Sequence, residues 1–559
     1  MPRIAGLSFF LVAAAYLYVF PYQPRINNPN ENVRFYMTVA IVDHGTFAID
    51  AVEREWGWVN DKARYEGHVY SVKAPGTSLL GVPAYAAYRL ACTLTGHARD
   101  RTEALWVCRL FASILPALLF LAWFRSHLKA TGVGALGTRT AFFALALGSA
   151  FHAYALLFVS HTIAACCAFA AFGVLWDVDS GRDTWGVRQP LLAGLLAAAA
   201  TAFEYPGLVA TVVLCSYALV AIRPLARILW FGIGAAIPTS LVMLFQWRAF
   251  GSPFTPGHRY LDNPAYRALA REGFFGATGF DADSLGLLID PAYGLFPLTP
   301  LLVALPIGVF ALFRSRERRR PAAVALLIVV GTTLVITFMN NWRGGWTVGP
   351  RYLITVIPFA VWIAAVGWDA ALRRAPRIAT GFAVGLGAAG IVASGVPSAL
   401  YPHVPEAFTR PIPQLFAVLV GHGYAPHSLG TMLGWTARTS LAPLAVIGVL
   451  AAVLPLGALP GFSHRVQAAG LAILVACAAL VPIALGPPLS ARGRSMLAHV
   501  TRTWRPAGRD DAAVLAARGR MDAAAWSRLE SVYREEGRDS EADRAAREAR
   551  ISEGASRRR

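Results

Sequence analysis

Apolar residues fall in long runs separated by short polar stretches. Runs lie near 4–20, 75–93, 104–124, 140–158, 161–177, 190–204, 206–222, 228–247, 295–313, 322–339, 352–370, 378–396, 440–459 and 467–487. Most approach the roughly 20 residues that a helix needs to cross a bilayer. The pattern predicts an all-α polytopic membrane protein. The first run follows a single Arg, and Pro21, Pro24 and Asn27 come after it instead of a small-residue cleavage site, so it reads as a retained span.

Composition sharpens this. Apolar residues make up 56% and charged residues 15% of the 559, against about 25% charged in a soluble domain. That excludes an ordinary cytosolic enzyme, a disordered chain and a disulfide scaffold. The six cysteines show no paired metal spacing and read as small buried hydrophobes. The formal charge of +19 sits in short clusters between apolar runs, with 16 Arg and 11 acids in residues 489–559. No aromatic-basic reader motif accompanies it, so nucleic acid is not an expected partner.

The basic clusters orient the chain. Arg125/Lys129/Arg139, Arg182/Arg188, Arg223/Arg227, Arg314–Arg320 and Arg373/Arg374/Arg377 mark the cytoplasmic side of an inner membrane. The segments around Ser160–His161 and Glu204–Tyr205, and loops 248–293, 340–351 and 397–438, then face outward. Loop 125–139 keeps its side only if 75–93 is a juxtamembrane or re-entrant helix, which makes 21–103 one outer loop. Residues 1–488 form the membrane domain and 489–559 a soluble helical tail. Asp510-Asp511, Asp522 and Asp539 are plausible caps in that tail, and Gly519 and Gly537 plausible breaks. Span parity puts the tail outside, while Arg492, Arg494, Arg502 and Arg505 favour inside.

The outer loops are long and carry aromatic, acidic and basic residues, whereas the inner loops are short and merely basic. That asymmetry suits an enzyme at the outer surface. A transporter or flippase of lipid-linked intermediates is the rival reading; it predicts polar residues deep in the spans and repeated halves. A scaffold docking partners through its tail is a third.

The richest polar segment is 27–76. Val33, Tyr36, Met37, Ala40 and Ile41 recur at helical spacing, with Asn30 as N-cap and Gly45 as stop. This predicts an amphipathic interfacial helix in which Glu31 and Arg34 pair. Glu31, Arg34, Ala40, Gly45 and Lys73-Ala74-Pro75-Gly76 resemble the first outer loop of GT-C glycosyltransferases, near the lipid A aminoarabinose transferases and protein O-mannosyltransferases. GHVYSVKAPG, TAFEYPG and WRGGWTVGPRYL resemble a bacterial branch of the same group, and the likeness covers roughly residues 1–370.

The resemblance implies a GT-C-like helix bundle with juxtamembrane helices over an outer cavity. It also implies a polyprenyl-phosphate sugar donor drawn from among the membrane lipids, and transfer to an acceptor glycan, lipid or protein. Relatives carry an acidic pair where this chain has Asn30-Glu31, so the base is Glu31 or another acid, with Asp61 the best alternative and Asp50 or Glu53 others. By the same resemblance Lys73 meets the donor phosphate; its bland reading is snorkelling to head groups. Arg34, Asp50, Glu204 and Tyr205 join the expected binding set. In the compact loop that follows, Arg343 and Arg351 could fork a phosphate and Trp346 could stack on a sugar, or simply form an aromatic belt with arginine anchors. The outer-side histidines, among them His161, His258 and His403, read as ordinary interfacial residues. No cofactor or metal is expected, although a divalent ion stays an open alternative.

Overall fold

The computed structural model describes residues 2–22, 28–182, 185–275 and 280–503, and scattered helical positions between 526 and 550. Among these, eight helices are long and apolar enough to cross a membrane: Arg101–Ala130, His161–Asp179, Leu225–Phe250, Arg319–Thr337, Arg351–Arg374, Pro376–Leu400, Ala437–Ala458 and Phe462–Ala484. The chain is an all-α, multi-pass membrane protein.

Two predicted spans are interrupted. Run 140–158 ends its helix at Ala146 and resumes only for Phe151–Ala155. There Gly148 lets the chain approach the Gly390–Ile391 backbone, where a Cβ would lie 3.3 Å from the nearest atoms. Run 295–313 divides into Leu295–Leu298, a tight turn Pro300–Ala304 and Leu305–Arg314, because Pro297, Pro300 and Pro306 each remove a backbone donor.

Elsewhere small residues bring backbones together. Helices Arg188–Phe203 and Ile228–Phe250 cross at Gly194 and Gly234. A Cβ on Gly194 would lie 1.9 Å from the Phe231 carbonyl oxygen, and one on Gly234 2.0 Å from that of Leu191. This is the close small-residue approach that membrane helices use in place of hydrophobic burial. Gly194→Leu is expected to separate the pair and destabilise the fold by about 1–3 kcal/mol, the usual range for overpacking, read as a lowered melting temperature in detergent.

The basic clusters meet at one end of the bundle. Arg320 pairs with Asp179, Arg227 donates to the Gly186 carbonyl at 2.5 Å, and Arg377 reaches Gln467 at 3.2 Å. Asp369 there accepts the Gly137 amide at 3.1 Å and that of Gly134.

The opposite end carries the first polar loop. Helix α1 (Pro2–Tyr18) runs into strand β1 (Val19–Phe20). Helix α2 (Pro29–His44) is capped by Asn28, whose side chain accepts the Glu31 amide, and not by Asn30; Gly45 closes it at φ 64°. It is not the half-exposed interfacial helix expected, since Asn30 through Ala40 are all buried. After α3 (Asp50–Trp56) come strands β2 (Lys62–Tyr65) and β3 (His68–Ser71), and then α4 (Gly76–Thr95). Helix α4 lies across α2, with the Thr38 hydroxyl donating to the Ser78 carbonyl at 2.9 Å and the Ser78 hydroxyl to that of Arg34 at 2.9 Å.

Strand β4 (His427–Ser428) pairs with β1 and ties loop 397–438 to this end. So does the helix Ala491–Thr503, which presses Met496, Leu497 and Val500 onto the main core. His499 stands 6.1 Å from Trp346, ring to ring. The tail therefore starts on the polar-loop end. The caps and breaks expected further along it, Asp510-Asp511, Gly519, Asp522, Gly537 and Asp539, lie outside the described residues.

Candidate functional site

The β2–β3 hairpin sets the geometry. Tyr65 pairs with His68 across a two-residue turn, Glu66-Gly67, and Lys62 pairs with Ser71. Both turn residues have positive φ, 47° and 83°, the requirement of the type I′ turn that matches strand twist. Asp61 just before β2 and Lys73 just after β3 are thereby brought face to face, with Nζ 2.5 Å from Oδ2. Their side chains keep 14% and 15% of their surface open. Loop 248–293 lies along the hairpin edge, where Leu261 bridges Ala63 and the Arg64 Nε meets Asp262 at 3.0 Å.

A second pair stands beside the first. The Arg34 Nη2 on α2 donates to the Ser160 hydroxyl at 2.7 Å and to Glu204 Oε2 at 3.1 Å, and the Ser160 hydroxyl donates to the same carboxylate. His161 Nε2 is 3.9 Å from Glu204. Arg351 completes the cluster. Its guanidinium donates to the Tyr352 hydroxyl at 2.8 Å, but among the described residues it pairs with no carboxylate, and its buried Nε has no partner. Gly344 makes room for it, because a Cβ there would come within 2.5 Å of the Arg351 Nε, at φ 77°.

These groups feel one another electrostatically. Burial alone would raise the Asp61 carboxyl. Lys73, then Arg351 and His258, outweigh it and hold the group below the usual carboxylate range. His258 is pushed down to about 4 by burial and then by Lys73, which keeps it neutral. Three basic side chains, Arg34, Lys73 and Arg351, therefore face two carboxylates, Asp61 and Glu204. The excess positive charge suits an anionic ligand.

The other expected residues fall elsewhere. Glu31 does not pair with Arg34. It is gripped by Arg109, Nε to Oε1 and Nη2 to Oε2 both at 2.6 Å, and Oε1 also accepts the Phe158 amide at 2.7 Å. Both groups are almost wholly buried, so no oxygen of Glu31 is left facing a ligand. Asp50 accepts the Val69 amide at 3.2 Å and lies 3.5 Å from His68; it pins β3 to α3. Tyr205 borders the cluster, 6.1 Å from His258 ring to ring. Arg343 lies over Tyr293 at 4.6 Å and near Glu406 at 3.7 Å, and Trp346 leans on the helix Ala491–Thr503.

Sequence reasoning misses Arg109 and Ser160, and it treats His161 and His258 as ordinary. Arg109 carried a signal: an arginine inside an apolar run needs a partner. Among the described residues no group of three or more His, Cys, Asp or Glu could hold a metal ion.

No protein-family profile and no curated protein sequence matches the chain. Several solved structures are similar to it, and two stand as examples. One is the archaeal oligosaccharyltransferase AglB from Archaeoglobus fulgidus, in complex with an inhibitory peptide and a dolichol-phosphate (TM-score 0.41, 12% identity, 91% of this chain). The other is the arabinosyltransferase EmbB from Mycobacterium smegmatis (TM-score 0.40, 13% identity, 89% of this chain). The chain spans 58% and 42% of their respective lengths. Both are members of the GT-C superfamily.

Proposed function

We propose that this chain is an integral membrane glycosyltransferase that takes a sugar from a polyprenyl-phosphate donor and passes it to an acceptor at the outer face of the cytoplasmic membrane. The observation that carries the reading is the Lys73–Asp61 contact within a cluster where cations outnumber carboxylates and where Arg351, among the described residues, forms no ion pair with an acid.

Asp61 takes the proton from the acceptor hydroxyl. The acceptor oxygen bonds to the anomeric carbon as the bond from that carbon to the phosphate oxygen breaks, and the electron pair stays on the departing lipid phosphate. Charge gathers there during the reaction, so cations fixed in place act most in the transition state. Lys73 and Arg351 supply them. In the resting chain Lys73 is held by Asp61. An incoming phosphate competes for the ammonium and frees the carboxylate at the moment the acceptor needs a base. Arg34 and Glu204 fix the floor of the site through Ser160.

The test is transfer from lipid-linked sugar donors by the purified full-length chain. Lys73→Ala is expected to raise the KM for donor at least tenfold, and an unchanged KM would remove Lys73 from the phosphate site. The pH profile gives a second reading. A depressed carboxyl stays ionised until pH falls through its folded value, so the acid limb of the unaltered chain lies below that of an ordinary aspartate. In Lys73→Ala the largest lowering influence is gone while burial remains, so the limb moves to higher pH. A limb that stays in place separates Asp61 from the reaction.

A further inference from the structure

The geometry points to a carbohydrate-binding strip formed by Asn60, Asn263 and Tyr266, beside the Lys73–Asp61 pair, which holds a neutral polyhydroxylated acceptor. This rests on the glycosyltransferase reading and names the acceptor class for the same site.

Asn60 is the residue before Asp61. Its amide oxygen accepts from Asn263 Nδ2 at 2.8 Å, and its own Nδ2 donates to the Tyr266 hydroxyl at 3.4 Å. Two amides and a phenol thus form one hydrogen-bonded row, Asn263–Asn60–Tyr266, whose middle member directly precedes the proposed base. Tyr266 leaves 39% of its surface open, and Trp58, two residues before Asn60, leaves 62% open. Amides that both donate and accept, next to flat aromatic faces, match the hydroxyls and the C–H faces of a sugar.

The three side chains of the strip are themselves neutral, which suits a neutral acceptor; nearby charges include Lys62, 5.3 Å from the Trp58 ring, and Asp262, which pairs with Arg64. The helix that carries Tyr266, Pro264–Arg271, buries none of its residues, so packing does not explain the tyrosine. The helix is anchored at both ends, by Asn263 on Asn60 and by Asn340, whose Nδ2 donates to the Leu269 carbonyl at 3.1 Å and whose amide donates to that of Phe274 at 3.0 Å. Tyr266 is therefore held against Asn60, beside the proposed base.

The test is saturation-transfer NMR on the full-length chain in nanodiscs, with mannotriose, cellotriose and chitotriose as probes and short neutral peptides as the comparison. Saturation of at least one trisaccharide is expected. It should fall at least fivefold in Tyr266→Ala and in Asn60→Ala, be largely kept by Tyr266→Phe, which retains the ring, and be unchanged in Arg271→Gln at the far end of the helix. Saturation of the peptides alone, or trisaccharide saturation that survives both Tyr266→Ala and Asn60→Ala, overturns the strip. Asp61→Asn separates the two readings. If it keeps full transfer, the assigned base is wrong whatever the NMR shows. If it abolishes transfer while Tyr266→Ala leaves trisaccharide saturation unaltered, the enzyme reading stands and the strip does not.

Discussion

Asp61→Asn is expected to cut sugar transfer by about 10²–10⁴-fold, the usual contribution of a positioned acid or base, with little change in donor affinity. The amide keeps the shape of the carboxyl and a contact to Lys73, but it cannot take a proton. It also leaves Lys73 without its counter-charge, so the lysine is more available to a phosphate. The expected pattern is a collapsed kcat with a donor KM that is equal or lower. Glu204→Gln gives the contrast. Glu204 already accepts from Arg34 and Ser160, and its loss should loosen the floor of the site and raise KM with a smaller fall in kcat. If Glu204→Gln abolishes kcat and Asp61→Asn does not, the two carboxylates exchange roles.

The largest effect on stability is expected at Arg109. Removing one partner of a buried ion pair leaves an uncompensated charge and costs about 3–5 kcal/mol. Arg109→Ala strands Glu31, and it also releases the Pro21 carbonyl, which Nη1 holds at 3.1 Å. Glu31→Gln strands Arg109. Both chains should unfold at clearly lower temperature or denaturant concentration in detergent. Combining them should cost less than the sum, since the second change removes the charge the first left alone. A Glu31→Gln chain that melts like the unaltered protein but fails to transfer sugar would return Glu31 to the role of base.

These two carboxylates show what the sequence made legible. Helices longer than a membrane is thick follow from apolar run length, and the basic clusters gather at one end as their charge suggested. Gly45 and the Lys73-Ala74-Pro75-Gly76 bend could be read from local chemistry. Pairing across the bundle could not. Glu31 and Arg34 have the spacing of a helical ion pair, yet each turns to a partner distant in the chain, Arg109 and Glu204. With Asn30 through Ala40 buried, the carboxylate and the guanidinium both meet counter-charges from other parts of the bundle, and along its own helix Arg34 meets only the neutral Asn30. His161 and His258 looked ordinary because nothing local distinguishes a histidine at a span end from one beside a carboxylate. Asp61 and Lys73 are twelve positions apart, and only the tight Glu66-Gly67 turn makes them neighbours. A Glu at positive φ is a poor advertisement for that turn, so the hairpin was not foreseen.

The docking of Ala491–Thr503 beside Trp346 also bears on experimental design. A reporter fused behind that helix shares a compartment with the Lys73–Asp61 pair. Alkaline phosphatase, active only after export, and a fluorescent protein that matures only in the cytosol would therefore give opposite signals. That pair of fusions reads the orientation of the Lys73–Asp61 pair without any knowledge of what it binds.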